Sequence, residues 1–149
     1  MEIRNVEEKK TLAVNLTAPA SELPNVIGEV YGEIGAYLGR KGIEMTGAPY
    51  VLYRNMDMDA LDLEIGFPAG GNDQGEGRIK PSRLPAGRVV TAIHKGPYKE
   101  LEKTYEKVMA YIAAEGVKTT EWMYESYLNS PMDTAEEELL TELFFPLAE

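Results

Sequence analysis

Two stretches of the sequence are related and decide the fold: Val26-Ile27-Gly28-Glu29-Val30-Tyr31-Gly32-Glu33-Ile34 and Glu100-Leu101-Glu102-Lys103-Thr104-Tyr105-Glu106-Lys107-Val108. Tyr31 matches Tyr105 at an offset of 105 − 31 = 74. The same offset relates further pairs in order along the chain, namely Tyr37 with Tyr111, Gly42 with Gly116, Tyr53 with Tyr127 and Asn55 with Asn129. An ordered series of this kind predicts an internal duplication.

The duplication extends to the end of the chain with one insertion. Residues 61–68 (LDLEIGFP) match residues 139–146 (LLTELFFP) at an offset of 146 − 68 = 78, and a four-residue insertion near residues 133–136 explains the change. We therefore expect a single domain over residues 1–149, with a first unit at about 1–69 and a second at about 78–149. The glycine-rich segment 68–77 between them has the composition of a flexible linker.

Each unit has the pattern of a β-α-β-β motif. In the first, Leu12, Val14 and Leu16 alternate with small or polar residues, which indicates a strand with one buried face. An apolar stripe at helical spacing follows, and two strands are predicted near 49–55 and 61–67. The second unit repeats this order, with strands near 89–94, 121–128 and 139–145. We expect an α+β fold in which the two units share an antiparallel sheet with pseudo-twofold symmetry, two main helices and a central ligand cleft.

Composition excludes several classes of site. The chain has 149 residues, a net charge of -10, no cysteine and one histidine, His94. Disulfides, thiolate ligands and zinc sites with several imidazoles from one chain are excluded, so we expect no metal and no cofactor. The acidic balance predicts no nucleic acid partner. No apolar run approaches the ~18 residues of a membrane span, and no secretory signal is visible, so we expect a cytoplasmic protein without a membrane partner.

The densest cluster of chemically capable side chains lies at residues 121–128, which read EWMYESYL. Successive side chains of a strand point to opposite faces. One face therefore carries Met123, Glu125 and Tyr127, and the other carries Trp122 with Tyr124, Ser126 and Leu128. The sequence leaves open which face lines the cleft.

Glu125 is the main candidate for a functional residue because the duplication gives it no acidic counterpart. At the offset that relates Tyr31 to Tyr105, Val51 stands where the second unit has Glu125, and Ala48 stands where it has Trp122. A carboxylate on only one half is what a pocket added to a symmetric scaffold would produce. The alternative is a glutamate that merely faces solvent.

A carboxylate held among aromatic rings is costly unless a positive charge compensates it. A bulky, planar, lipophilic cation would pair with Glu125 and make cation–π contacts with the rings. The side chains that we expect to contact such a ligand are Glu125, Trp122, Tyr127, Tyr98, Met123 and Tyr53. His94 is either a pH-sensitive pocket residue or the partner in a local hydrogen bond, and we favour the second.

The sequence resembles the GyrI-like, or bacterial effector-binding, domains over nearly its whole length. The resemblance is carried by His94-Lys95-Gly96-Pro97-Tyr98, by Tyr124-Glu125-Ser126-Tyr127-Leu128 with Asn129-Ser130-Pro131, and by residues 140–147 (LTELFFPL). It implies a duplicated β-α-β-β fold with a ligand cleft at the seam, in which Glu125 is the carboxylate that meets lipophilic cations. In the family this domain often follows a helix-turn-helix in multidrug-sensing regulators. Because the resemblance starts almost at residue 1, we expect no DNA-binding domain in this chain.

The resemblance leaves three functions open. The first, which we favour, is a module that binds, sequesters or senses multiple drug-like cations. The second is a hydrolase of cyclopropane-bearing DNA-alkylating compounds (a cyclopropanoid hydrolase), in which Glu125 would be the catalytic general base beside Trp122. The third is a protein-interaction module of the gyrase-inhibitor type.

Overall fold

The fold is α+β, with one antiparallel sheet and two main helices in the part of the chain that the computed structural model describes, residues 1–70, 73–130 and 132–148. Pro131 of the family motif and Gly71 and Asn72 of the predicted linker lie outside the described residues. The strands are β1 (Glu2–Val6), β2 (Lys9–Ala18), β3 (Tyr50–Tyr53), β4 (Leu61–Pro68), β5 (Lys80–Leu84), β6 (Gly87–Lys95), β7 (Met123–Tyr127) and β8 (Leu140–Pro146). The helices are α1 (Leu23–Lys41) and α2 (Leu101–Glu115).

The strand order shows the pseudo-twofold symmetry. The order is β1-β6-β8-β7-β3-β4-β2-β5, so the central pair is β7 with β3. In that pair Val51 lies directly opposite Glu125, its counterpart in the duplication. Val14 pairs with Ile65 as Ala92 pairs with Leu143, so the duplication relates these two pairs as well. The pseudo-twofold axis therefore passes between Val51 and Glu125, while the boundaries of the two units at about 69 and 78 stay a prediction.

The structure adds one strand to the start of each predicted β-α-β-β unit. These leading strands, β1 and β5, are exchanged: β1 of the first half pairs with β6, and β5 of the second half pairs with β2. Each leading strand thus lies at an edge of the sheet formed by the other half. This exchange joins the halves at both ends of the sheet as well as at its centre.

Both helices cover one face of the sheet, here called the helix face. Val30 and Ile34 of α1 are buried with Val14, Leu63 and Ile65 of the first half. Val108 of α2 is buried with a second set that includes Val90 and Leu143. Both helices end at a glycine in the left-handed region, Gly42 with φ 65° and Gly116 with φ 66°, where other residues pay a steric cost. The opposite face, here called the helix-free face, buries a third cluster built around Tyr50, Tyr124 and Phe144.

Asp73 and Glu76 of the predicted linker, and Arg78 directly after it, contact α1. Arg78 donates to Glu33 at 2.7 Å, Arg40 donates to Glu76 at 2.9 Å, and the Tyr37 hydroxyl donates to Asp73. Glycine content alone gave no sign of these contacts, because the partners lie on a helix in the preceding unit. Among the described residues, neither helix combines the length and apolar character needed to cross a lipid bilayer.

Candidate functional site

Glu125 occupies the centre of the molecule. It lies in the middle of β7, on the pseudo-twofold axis, and its side chain points to the helix face with only 5% of its surface exposed. Strand alternation places Met123 and Tyr127 on the same face. The carboxylate therefore points into the space beneath the helices.

Tyrosine hydroxyls hold the Glu125 carboxylate. Tyr127 donates to Oε1 at 2.7 Å, and Tyr105 of α2 donates to Oε2. Tyr53 of β3 lies beside this carboxylate and lines the same cavity. The two donors come from the sheet and from a helix, and Tyr53 comes from the other half of the chain, so the ring cluster exists only when sheet and helix pack together.

Burial raises the pKa of Glu125 above its ordinary value, because the charged form is removed from water. Hydrogen bonds from Tyr105 and Tyr127, together with the nearby Tyr53 hydroxyl and His94 ring, oppose that rise in part. Burial first, and then the negative charge of Glu125, raise the pKa values of Tyr53, Tyr105 and Tyr127. The three phenols therefore stay neutral donors, and the carboxylate is the group in the cluster whose charge a ligand can sense.

Tyr31 differs from its counterpart Tyr105 in having no carboxylate to bind. Its hydroxyl is buried and has no hydrogen-bond partner among the described residues. Burial raises the pKa of Tyr31, and the charge of Glu125 contributes, so the hydroxyl lies in the field of the same site. The duplication explains the difference, because Val51 stands on the first half where Glu125 stands on the second.

A cavity of about 380 Å³ opens beside Glu125. Its polar end is formed by Tyr53, Tyr105 and Glu125, and its apolar wall includes Leu23, Met56 and Met58. The two methionines are 54% and 59% exposed and lie on the loop between β3 and β4, at the mouth of the cavity. Flexible thioether side chains at a mouth can adapt to ligands of different shape.

Most of the predicted site residues surround Glu125, and Trp122 does not. Tyr98 packs edge-on against Tyr127 with 5.8 Å between ring centroids. Met123 is buried, and its Sδ lies 3.7 Å from the Tyr105 hydroxyl oxygen, whose proton is donated to Glu125. Trp122 lies on the helix-free face and stacks on Tyr124, with 6.3 Å between centroids. The physical reason is the strand period of two, which points Trp122 and Glu125 to opposite faces.

His94 satisfies local hydrogen bonds. Its Nε2 lies 3.0 Å from the carbonyl oxygen of Pro97, and its Nδ1 lies 2.6 Å from the Thr104 hydroxyl. A carbonyl only accepts, so Nε2 carries the proton and, in the neutral ring, Nδ1 accepts from Thr104. These bonds anchor the first turns of α2. Because Thr104 directly precedes Tyr105, they help to position the phenol that binds Glu125.

The sequence predicts core packing for several residues that the structure places near Glu125. Tyr31 and Tyr105 have helical spacing that is typical of core packing, yet both hydroxyls lie near Glu125. The signal that pointed to them was their match across the duplication. Glu102, Met56 and Met58 had no such signal, because they reach the cavity from a helix surface and a loop. Within the described ranges, no three His, Cys, Asp or Glu side chains come together as a metal site would require.

Residues 1–148 match the family described as the GyrI-like small molecule binding domain, and the chain therefore belongs to that family. No curated protein matched the sequence. The structure is similar to the EcmrR chain of a cryo-EM EcmrR–DNA complex, with 24% identity, a TM-score of 0.85 and coverage of 98% of this chain. This chain spans 56% of that EcmrR chain.

Two shorter structures are similar over almost their whole length. SAV2435 bound to tetraphenylphosphonium shares 15% identity at a TM-score of 0.72, with 98% of this chain and 92% of that chain covered. A hydrolase from Listeria innocua shares 16% identity at a TM-score of 0.69, with 99% and 91% covered. At these identities the likeness concerns the fold.

Proposed function

We propose that this chain binds bulky, planar, often cationic small molecules in the cavity beside Glu125 and acts as a cytoplasmic drug-sequestering or drug-sensing module. The observation that carries the proposal is a buried carboxylate, hydrogen-bonded by two phenols with a third beside it, at the end of an aromatic and methionine-lined cavity. The ligand contacts that we propose are Glu125, Tyr53, Tyr127, Tyr98 and Met123.

The electrostatics of the cavity favour a cation. Two phenol hydrogen bonds stabilise the carboxylate without neutralising it, so its charge stays poorly solvated. A lipophilic cation brings a positive charge that itself has little hydration to lose, and the surrounding rings add about 0.5–2 kcal/mol for each cation–π contact. The cavity volume of about 380 Å³ is within the roughly 300–1,000 Å³ range of small-molecule sites.

The comparisons support a bulky aromatic cation as the ligand, and the planar shape is part of the proposal alone. The protein SAV2435 carries tetraphenylphosphonium, which is a lipophilic aromatic cation, on the same fold. Our expectation that the chain has no nucleic acid partner finds no support in the comparisons, because one similar structure is a DNA complex. We therefore propose neither that the chain binds nucleic acid nor that it does not.

Calorimetric titration with tetraphenylphosphonium tests the proposal. We expect Glu125→Gln to weaken binding by tenfold or more, which is about 1.4 kcal/mol, because the cation loses its counter-charge while the shape is kept. Glu64→Gln is the matched control, since Glu64 is equally buried but lies on the helix-free face. Equal affinity in the parent and the Glu125 variant would contradict the proposed site, and absence of binding by the parent would contradict the ligand class.

Hydrolysis of a strained ring is the second candidate, and one observation favours it. The raised pKa of Glu125 moves this carboxyl toward the range in which a general base is effective. Trp122, however, lies on the other face, so a stacked substrate would have to use the tyrosines. Conversion of a cyclopropane-bearing compound to its hydrated product, abolished in Glu125→Gln, would establish the enzyme; ligand binding without turnover would establish the binding module.

A further inference from the structure

The helix-free face carries two cavities that the pseudo-twofold axis relates. The larger one has a volume of about 420 Å³ and is here called the Trp122 cavity. Its wall includes two arginines, two glutamates and the tryptophan, namely Arg54, Arg83, Glu64, Glu121 and Trp122, together with Ser82. The smaller one has about 150 Å³, and its wall includes Arg4, Ala48, Leu128 and Glu142. The two offsets of the duplication relate these walls position by position: Ala48 to Trp122, Arg54 to Leu128, Glu64 to Glu142, and Arg4 to Ser82.

Both cavities have charged side chains in their walls, including Arg4 and Lys9 in the smaller one, but only the larger one combines a tryptophan with two arginines. Trp122 replaces an alanine, and Arg54 replaces a leucine, relative to the smaller cavity. Arg83 of β5 stands where β1 has Asn5. Trp122 and Arg54 come from opposite halves of the chain, yet they converge on the same cavity. Arg54 is held by Asp62 and Glu64 of its own half, and Trp122 of the other half lies across the cavity from it.

The base of the Trp122 cavity is rigid and electrostatically satisfied. Glu64 accepts from the Tyr50 hydroxyl at 2.6 Å, from Ser82 at 3.0 Å and from Arg54 at 3.0 Å. The Glu64 carboxylate is already paired with Arg54 and needs no further cation, in contrast to the Glu125 carboxylate on the helix face. The same contacts hold the Arg54 guanidinium in place while 38% of that side chain stays exposed.

Trp122 ends a stack of parallel rings. Phe144 and Tyr124 stack with centroids 4.5 Å apart, and Tyr124 and Trp122 stack with centroids 6.3 Å apart and 15° between planes. The indole is half-buried, so its position is fixed by the stack and part of it faces the cavity. A planar ligand laid against it would extend the ring stack.

We propose that the Trp122 cavity is a second binding site, which takes a planar aromatic carboxylate, its ring against Trp122 and its carboxylate toward the guanidinium groups of Arg54 and Arg83. Guanidinium is planar and its donors match the two oxygens of a carboxylate. Arg83 pairs with Glu8 at 3.1 Å, and 71% of its side chain is exposed, so its guanidinium can turn to a ligand. The site selects the opposite charge from the Glu125 cavity and is independent of the function proposed there.

The single tryptophan of the chain gives a direct test, because its indole N–H produces one resonance in a ¹⁵N-correlated spectrum. We expect 2-naphthoate at low salt to shift the Trp122 indole resonance, and 2-naphthylmethylammonium of similar shape to shift it at least fivefold less at equal concentration. Arg83→Gln should weaken 2-naphthoate binding at least fivefold. Arg78→Gln is the matched control, since it also removes one exposed, ion-paired arginine but lies beside α1; its affinity should stay within twofold of the parent.

Three results would overturn the second site. They are an indole resonance that millimolar 2-naphthoate leaves unmoved, equal responses to the two naphthyl probes, and equal affinity in the Arg83 and Arg78 variants. Glu125→Gln distinguishes the sites: the response to 2-naphthoate should persist in this variant. Loss of the response there would place the ligand in the helix-face cavity and overturn the proposal.

Discussion

Glu125 and Val51 face each other across the central strand pair, so the two related positions differ by one full charge at the point where the halves meet. The sequence predicts this asymmetry, because the duplication aligns the two positions. It could not predict how the charge is held. The phenols of Tyr53 and Tyr105 come from another strand and a helix, and their contacts depend on packing that no local pattern encodes.

Cation binding should depend on pH in the sense set by Glu125. Burial raises the pKa of this carboxyl, so the free protein keeps its proton to a higher pH than an exposed glutamate does. The cation binds the ionised form; its affinity therefore rises with pH through the raised pKa and then levels off, with a slope of at most about tenfold per pH unit.

Titrations of tetraphenylphosphonium from pH 5 to pH 8 measure this dependence, because the charge of that ligand does not change with pH. Glu125→Gln should give a flat profile. A parent profile that is equally flat, or one that falls as pH rises, would show that Glu125 does not govern binding.

At the scale of secondary structure, patterns predict the elements that have a strong period. The strands β2, β4, β6 and β8 and both helices lie close to their predicted positions, because each buries one face against the core. The leading strands β1 and β5 were not predicted. They are five residues long and mostly exposed, and their partners lie in the other half of the chain, so neither burial period nor local turn chemistry marks them.

Gly66 of β4 lies where β4 and β2 of the first half approach each other closely. A Cβ at this position would lie 2.6 Å from the carbonyl oxygen of Leu12 and 2.8 Å from the Ala13 side chain. We expect Gly66→Ala to reduce the free energy of unfolding by about 1–3 kcal/mol, since backbone must move to admit the methyl group.

Gly32→Ala serves as the control, measured by urea denaturation alongside Gly66→Ala. Gly32 lies on the exposed side of α1 with open space around it, so alanine should stabilise the protein by about 0.5–1 kcal/mol. A Gly66 variant as stable as the parent would mean that β2 and β4 are not held at this spacing.

At the scale of the whole molecule, the exchanged leading strands couple the two halves. We propose that the chain is one domain, in units of about 1–69 and 78–149, and expect it to unfold in one transition. Trp122 fluorescence reports on the second half, and amide exchange of β2 reports on the first.

Equal free energies of opening from these two probes are the expected result. The pairs β1 with β6, β3 with β7 and β5 with β2 all have to break before either half is free. Opening of β2 at a free energy several kcal/mol below that of the Trp122 region would contradict a single cooperative unit.

Strand exchange also sets an order of events during synthesis. Glu2 leaves the ribosome well before its partner Thr91, so β1 has no neighbour while the first half emerges. An unpaired strand edge of this kind can pair with strands of other nascent chains. The polar and charged residues Glu2, Arg4 and Asn5, exposed in the finished fold, make this strand a poor template for aggregation during the delay.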